Sequence, residues 1–141
     1  MLFVLLLACG EADTSTPCPE TPCQDEVIFS MEGPNGPTVA AGTILPADSA
    51  MVTFDCRELS GEGWRCDRDG TLHVYTRAAS LTVDAYSTDA NAHAYAQLSI
   101  DWHAGGTSTC PSGCETAAAT VTFEAFDTGC FDADGDTGGG C

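Results

Sequence analysis

This chain contains no lysine. Its only cationic side chains besides histidine are Arg57, Arg65, Arg68 and Arg77, set against 21 carboxylates for a formal charge of −17 over 141 residues. Nucleic acids are held largely by Lys and Arg on the phosphate backbone, so this balance argues against nucleic acid as a partner. Docking on anionic lipid through basic residues is disfavoured for the same reason. No apolar run approaches the roughly 20 residues of a membrane-crossing helix. No stretch shows a convincing helical period of apolar residues. Patterns of the type C-x-x-C, H-x-H, H-E-x-x-H and G-x-S-x-G are missing, as are the glycine-rich nucleotide loops. Their absence removes the commonest zinc, nucleophile and phosphate sites, and the chain reads as non-enzymatic.

What is abundant is cysteine, at positions 9, 18, 23, 56, 66, 110, 114, 130 and 141. Setting Cys9 aside leaves an even number, which suits disulfides in an oxidising compartment better than metal sites. The apolar stretch Leu2–Ala8 is long enough to serve an export signal, and no Lys or Arg precedes it, a departure from the usual pattern.

Leu6-Leu7-Ala8-Cys9 resembles the lipobox of bacterial lipoproteins. The resemblance implies cleavage after Ala8, a diacylglyceryl group on the Cys9 sulfur, and an acylated new amino terminus. Several acyl chains together hold a protein on a membrane almost permanently. Gly10, in place of an acidic retention residue, implies the outer membrane, with the chain facing the periplasm or the exterior. The expected organisation is a signal peptide over 1–8, a lipidated tether over 9–25, a β-sandwich domain over 26–127, and an acidic, Gly-rich tail over 128–141. The tether, GEADTSTPCPETPCQD after Cys9, is polar and rich in Pro and Thr.

Period-two alternation dominates the domain. The expected inward sets are Val27, Phe29 and Met31; Val52, Phe54 and Cys56; Leu72 and Val74; and Leu81, Val83 and Ala85. Ala94, Ala96, Leu98, Ile100 and Trp102 form another, and Val121, Phe123 and Ala125 the last. Turn signals at 33–37 (GPNGP), 60–63 (SGEG), 67–70 (DRDG) and 87–91 (STDAN) separate the runs. This spacing predicts an all-β fold, a disulfide-bridged antiparallel β-sandwich of Ig-like or transthyretin-like kind. The segment DGTLHVYTRAASLTVDAYS is similar to the transthyretin-like sandwich of carboxypeptidase regulatory domains, which implies that its "DG" turn, Asp69-Gly70, leads into paired strands.

Eight cysteines allow 105 pairings. Local spacing favours Cys56–Cys66 and Cys110–Cys114. For the tails it offers Cys18–Cys23 and Cys130–Cys141, against the alternative that one tail is sewn to the other. Asp132, Asp134 and Asp136 match the first, third and fifth ligand positions of a calcium loop, but Thr137 stands where the loop needs Gly, so calcium is a weak candidate and a solvated tail the stronger reading. His73, His93 and His103 fall at strand positions expected to face solvent, and Tyr75, Tyr86 and Tyr95 could line a face for a sugar or peptide. The function expected is that of a lipid-anchored cell-envelope protein with a non-catalytic structural or interaction domain, requiring no cofactor. Its partners would be the membrane, through Cys9, and an envelope protein or glycan. A calcium- or glycan-binding module and a small secreted hydrolase are the alternatives.

Overall fold

A computed structural model describes residues 23–106 and 111–126. Among them there is no helix. The strands are β1 (Glu26–Gly33), β2 (Gly36–Pro37), β3 (Ala40–Pro46), β4 (Val52–Asp55), β5 (Ser60–Gly61) and β6 (Trp64–Cys66). They continue as β7 (Leu72–Tyr75), β8 (Ser80–Ser87), β9 (Ala92–Ser99), β10 (His103–Gly106), β11 (Pro111–Thr122) and β12 (Glu124–Ala125). One sheet runs β10-β11-β1-β7-β6-β5, with β2 folded onto β1; the other runs β12-β9-β8-β3-β4.

The alternation places the core between these sheets. Val27, Phe29, Leu72, Val74 and Val121 from the first meet Ile44, Phe54, Leu81 and Val83 from the second, all at most 2 % exposed. Burying each such side chain contributes about 1.5–3 kcal/mol before the entropy of ordering it is subtracted. Trp64 packs edge to face on Phe54, its ring centroid 6.4 Å away. Beside them the Cys56–Cys66 disulfide forms as the local spacing suggested, both sulfur-bearing residues lying in the core.

Turns fall where the glycines and aspartates placed them. In the Asp67–Gly70 turn the Gly70 N–H donates to the Asp67 carbonyl, and Gly70 has φ +90°, a left-handed conformation that residues with a Cβ rarely adopt. This turn closes a hairpin between β6 and β7, whereas β7 and β8, the two strands that the transthyretin-like resemblance implied to be paired after it, lie in different sheets: β7 lies between β1 and β6, and β8 between β3 and β9. The transthyretin-like detail therefore does not carry over, although the β-sandwich does.

Five further features differ from the sequence reading. β1 and β11 run parallel, in register from Glu26 opposite Thr116 to Glu32 opposite Thr122, whereas every other pairing among the described residues is antiparallel. β3, whose Ala-Ala-Gly start hides the alternation, was not anticipated and lies inside its sheet between β8 and the edge strand β4. The run ending at Trp102 stops at Ser99 instead, and Trp102 turns its indole Nε1–H to the Ala78 carbonyl at 3.1 Å, with the Arg77 guanidinium 4.6 Å above its ring. The final run breaks at Phe123, where the chain leaves one sheet for the other; Phe123 stays in the core while Ala125 is exposed.

The second disulfide is the fifth difference. Cys23 pairs with Cys114, so neither Cys18–Cys23 nor Cys110–Cys114 forms. The reason is the parallel pairing, which brings the start of β11 beside the residues leading into β1: the Glu115 N–H donates to Asp25 Oδ1 at 2.7 Å. This pair is neither of the reading's alternatives for the tails, since it joins the end of the expected tether to a strand of the domain. Cys9, Cys18, Cys110, Cys130 and Cys141 and the calcium candidates Asp132, Asp134 and Asp136 lie outside the described residues.

Candidate functional site

The outward faces of the two sheets carry the chain's polar and aromatic chemistry. On the β12-β9-β8-β3-β4 sheet, strand parity points Thr82, Asp84 and Tyr86 away from the core, together with His93, Tyr95, Gln97 and Ser99. Register sets Asp84 opposite Tyr95 and Tyr86 opposite His93. One diagonal of this square is bonded, His93 Nε2 lying 2.7 Å from Asp84 Oδ1. The other diagonal carries the two phenol rings, with Tyr86 49 % and Tyr95 63 % exposed. Phe126, 50 % exposed, stacks on His93 with centroids 6.1 Å apart and planes 18° from parallel. Arg57 forks onto the Asp55 carboxylate beside this face and holds the Asp55 pKa below the usual carboxylate value.

The outward face of the other sheet holds a compact charged cluster. His73 sits opposite Ile28 on β1 and Arg65 on β6. Its Nδ1 lies 3.0 Å from Glu26 Oε2 and its Nε2 3.0 Å from Asp67 Oδ2. Arg65 closes the ring, one guanidinium nitrogen on Asp67 Oδ1 at 2.6 Å and another 3.0 Å from His73 Nδ1. Parity did place His73 off the core, as expected, but these neighbours cover it and only 6 % of it is exposed. His93 and His103, on other strands, sit in the exposed positions anticipated, with 42 % and 70 % of their side chains accessible. Beside the His73 cluster lies an open cavity of about 360 Å³ lined by Cys23, Gln24, Glu26, Arg65 and Tyr75. Arg65 is the fixed cation of the cluster, facing the carboxylates of Glu26 and Asp67, and both imidazole nitrogens face protein partners.

Tyr75 belongs to this second sheet, so the three tyrosines singled out in the sequence do not share a surface: Tyr86 and Tyr95 are together and Tyr75 is apart. Strand assignment alone would have separated them. Sequence reasoning missed Phe126, because it lies just past β12 and its contact depends on the chain changing sheets at Phe123. It also missed a hydroxyl network. The Ala90 N–H donates to Ser87 Oγ, while the Ser87 and Thr38 hydroxyls both reach Asp89 Oδ1. Those hydroxyl bonds lower the Asp89 pKa and pin the 87–91 loop to the segment leading into β3. Among the described residues no group of three or more His, Cys, Asp or Glu is placed to hold a metal ion.

No protein-family model matches the chain, and no curated protein matches it. A solved structure to which it is similar is the C-terminal domain of the Caf1A usher, at TM-score 0.37 and 7 % identity, covering 70 % of this chain and 97 % of that one. That domain is described as carrying conserved surface hydrophobic clusters important for F1 antigen assembly.

Proposed function

We propose that this chain is an exported bacterial lipoprotein, held in the cell envelope by a lipid on Cys9, whose β-sandwich is a non-catalytic interaction domain. The observation that carries the reading is the contrast between cysteines. Cys23–Cys114 and Cys56–Cys66 are bridged, as thiols become in an oxidising compartment, while Cys9 follows Leu6-Leu7-Ala8 directly after an apolar segment. In this reading the tether runs up to the Cys23–Cys114 bridge, and the domain follows it. The outer membrane is the proposed location, because Gly10 follows the cysteine.

The non-catalytic reading is supported by the His73 cluster beside the cavity described above. A general base needs a ring nitrogen within reach of a substrate proton, and in His73 each nitrogen lies 3.0 Å from a carboxylate of the protein itself. The anchor is tested by expressing the full chain and its Cys9→Ser variant in a diderm bacterium and weighing the intact product of each fraction. The parent should sediment with membranes, lacking residues 1–8 and heavier by its acyl chains. The variant should lose the acyl mass and leave the membrane. Equal retention of both would sink the proposal.

A further inference from the structure

We propose that the outer face of the β12-β9-β8-β3-β4 sheet is a binding platform for uncharged glycan chains, with Tyr86 and Tyr95 as its stacking residues. This rests on the interaction half of the reading above and is independent of the anchor. Large exposed aromatic rings on a soluble surface are an informative departure from the ordinary pattern. Here Tyr86, Tyr95 and Phe126 are about half exposed or more and all lie around the same Asp84–His93 pair. The two tyrosines occupy diagonal positions on adjacent strands, about 7–8 Å apart, and with 49 % of Tyr86 and 63 % of Tyr95 exposed each keeps ring surface open to a ligand.

Between and beside the rings stand groups able to donate or accept hydrogen bonds: Asp84, His93, Gln97, Thr82 and Thr43, joined by register across β3, β8 and β9. A ligand matched to such a surface alternates apolar C–H faces with hydroxyl groups along its length, and a pyranose chain has that character. Protein interfaces commonly bury a contiguous apolar centre, whereas here a hydrogen-bonded Asp and His separate the rings. The charge decides which sugars fit. Asp84, Asp55 and Glu124 stand against Arg57, which is already bound to Asp55, so the face is negative and repels uronate or sulfated polymers. The sheet's openness suits a chain laid across it better than a single enclosed sugar.

The test is native electrophoresis of the full mature chain through gels containing, one at a time, mixed-linkage β-glucan, xyloglucan, galactomannan, soluble starch or polygalacturonate, in a detergent without a sugar headgroup. Retardation by at least one neutral polymer and none by polygalacturonate is expected. On titration with the matching oligosaccharide, Tyr86→Ala and Tyr95→Ala should each raise Kd at least tenfold. Tyr95→Phe, which keeps the ring, and Tyr75→Ala, on the other sheet, should stay within threefold of the parent. Asp84→Asn keeps the strand intact and should weaken binding at least threefold. Absence of retardation in all four neutral gels overturns the proposal, as does equal binding by the two alanine variants. Self-association of the parent that those variants abolish would assign the face to a second copy of this chain instead. Because the anchor is read from fractionation and mass, failure here leaves that result untouched, and the converse holds too.

Discussion

Asp89 shows how one carboxylate holds a loop in place. The hydroxyls of Thr38 and Ser87 donate to it and lower its pKa, so its charged form binds the fold more tightly than it binds the unfolded chain. A depressed carboxylate stabilises above its unfolded pKa, and that contribution disappears as the pH falls through the folded value. Because Asp89 is exposed, solvent screens much of this effect, so Asp89→Asn should cost at most about 0.5–1 kcal/mol at pH 7, and the gap to the parent should shrink as the pH approaches 3. Urea unfolding of both proteins at the two pH values checks it; a gap that widens on acidification would be inconsistent with this arrangement. The turn chemistry at 87–91 was legible in the sequence, but the Thr38 partner, 49 positions before Ser87, was not. Nothing local in Thr38 distinguishes it from an exposed threonine. The same limit applies to His73: parity gave its direction correctly, yet which residues roof it depends on β1 and β6 meeting at β7.

At the level of strands, β3 supports the aromatic face from within the sheet. Gly42 lies between Phe54 of β4 and Ala85 of β8. A Cβ placed there would come 2.3 Å from the Asp84 carbonyl oxygen and 2.6 Å from the Ala85 Cα, both backbone atoms that cannot rotate aside. Gly42→Ala should destabilise the domain by about 1–3 kcal/mol, read as a lower urea midpoint with an unchanged m-value. An unchanged midpoint would mean that β3 and β8 do not approach as closely as described. Alternation revealed most strands because each has one wet face, so apolar and polar residues take turns. It failed at β3, where Ala40 and Ala41 are both buried although they point to opposite faces. Small residues on either side of a strand leave no pattern of period two to detect.

For the whole molecule, the decisive contact joins β1, the first of the described strands, to β11, one of the last. β1 and β11 lie side by side in the interior of one sheet, flanked by β7 and β10, with Cys23–Cys114 at the edge of that pairing. Digestion of unreduced protein should release one peptide pair linking Cys23 to Cys114 and another linking Cys56 to Cys66, and no Cys110–Cys114 product. Finding Cys110–Cys114 would remove the parallel register at that end. Local spacing sufficed for Cys56–Cys66 because a turn brings its members together over 10 positions. It could not suffice over 91 positions, where closeness follows from the way all the strands between are folded.

That bridge also has a mechanical meaning for a domain pulled from its amino-terminal side. Load arriving at Cys23 passes through a covalent link into β11 before the hydrogen-bond ladder of β1 is strained. A thiol reductant would remove this shunt and leave β1 to be peeled from its neighbours one bond at a time, so the same stretch of chain would yield at a much lower force.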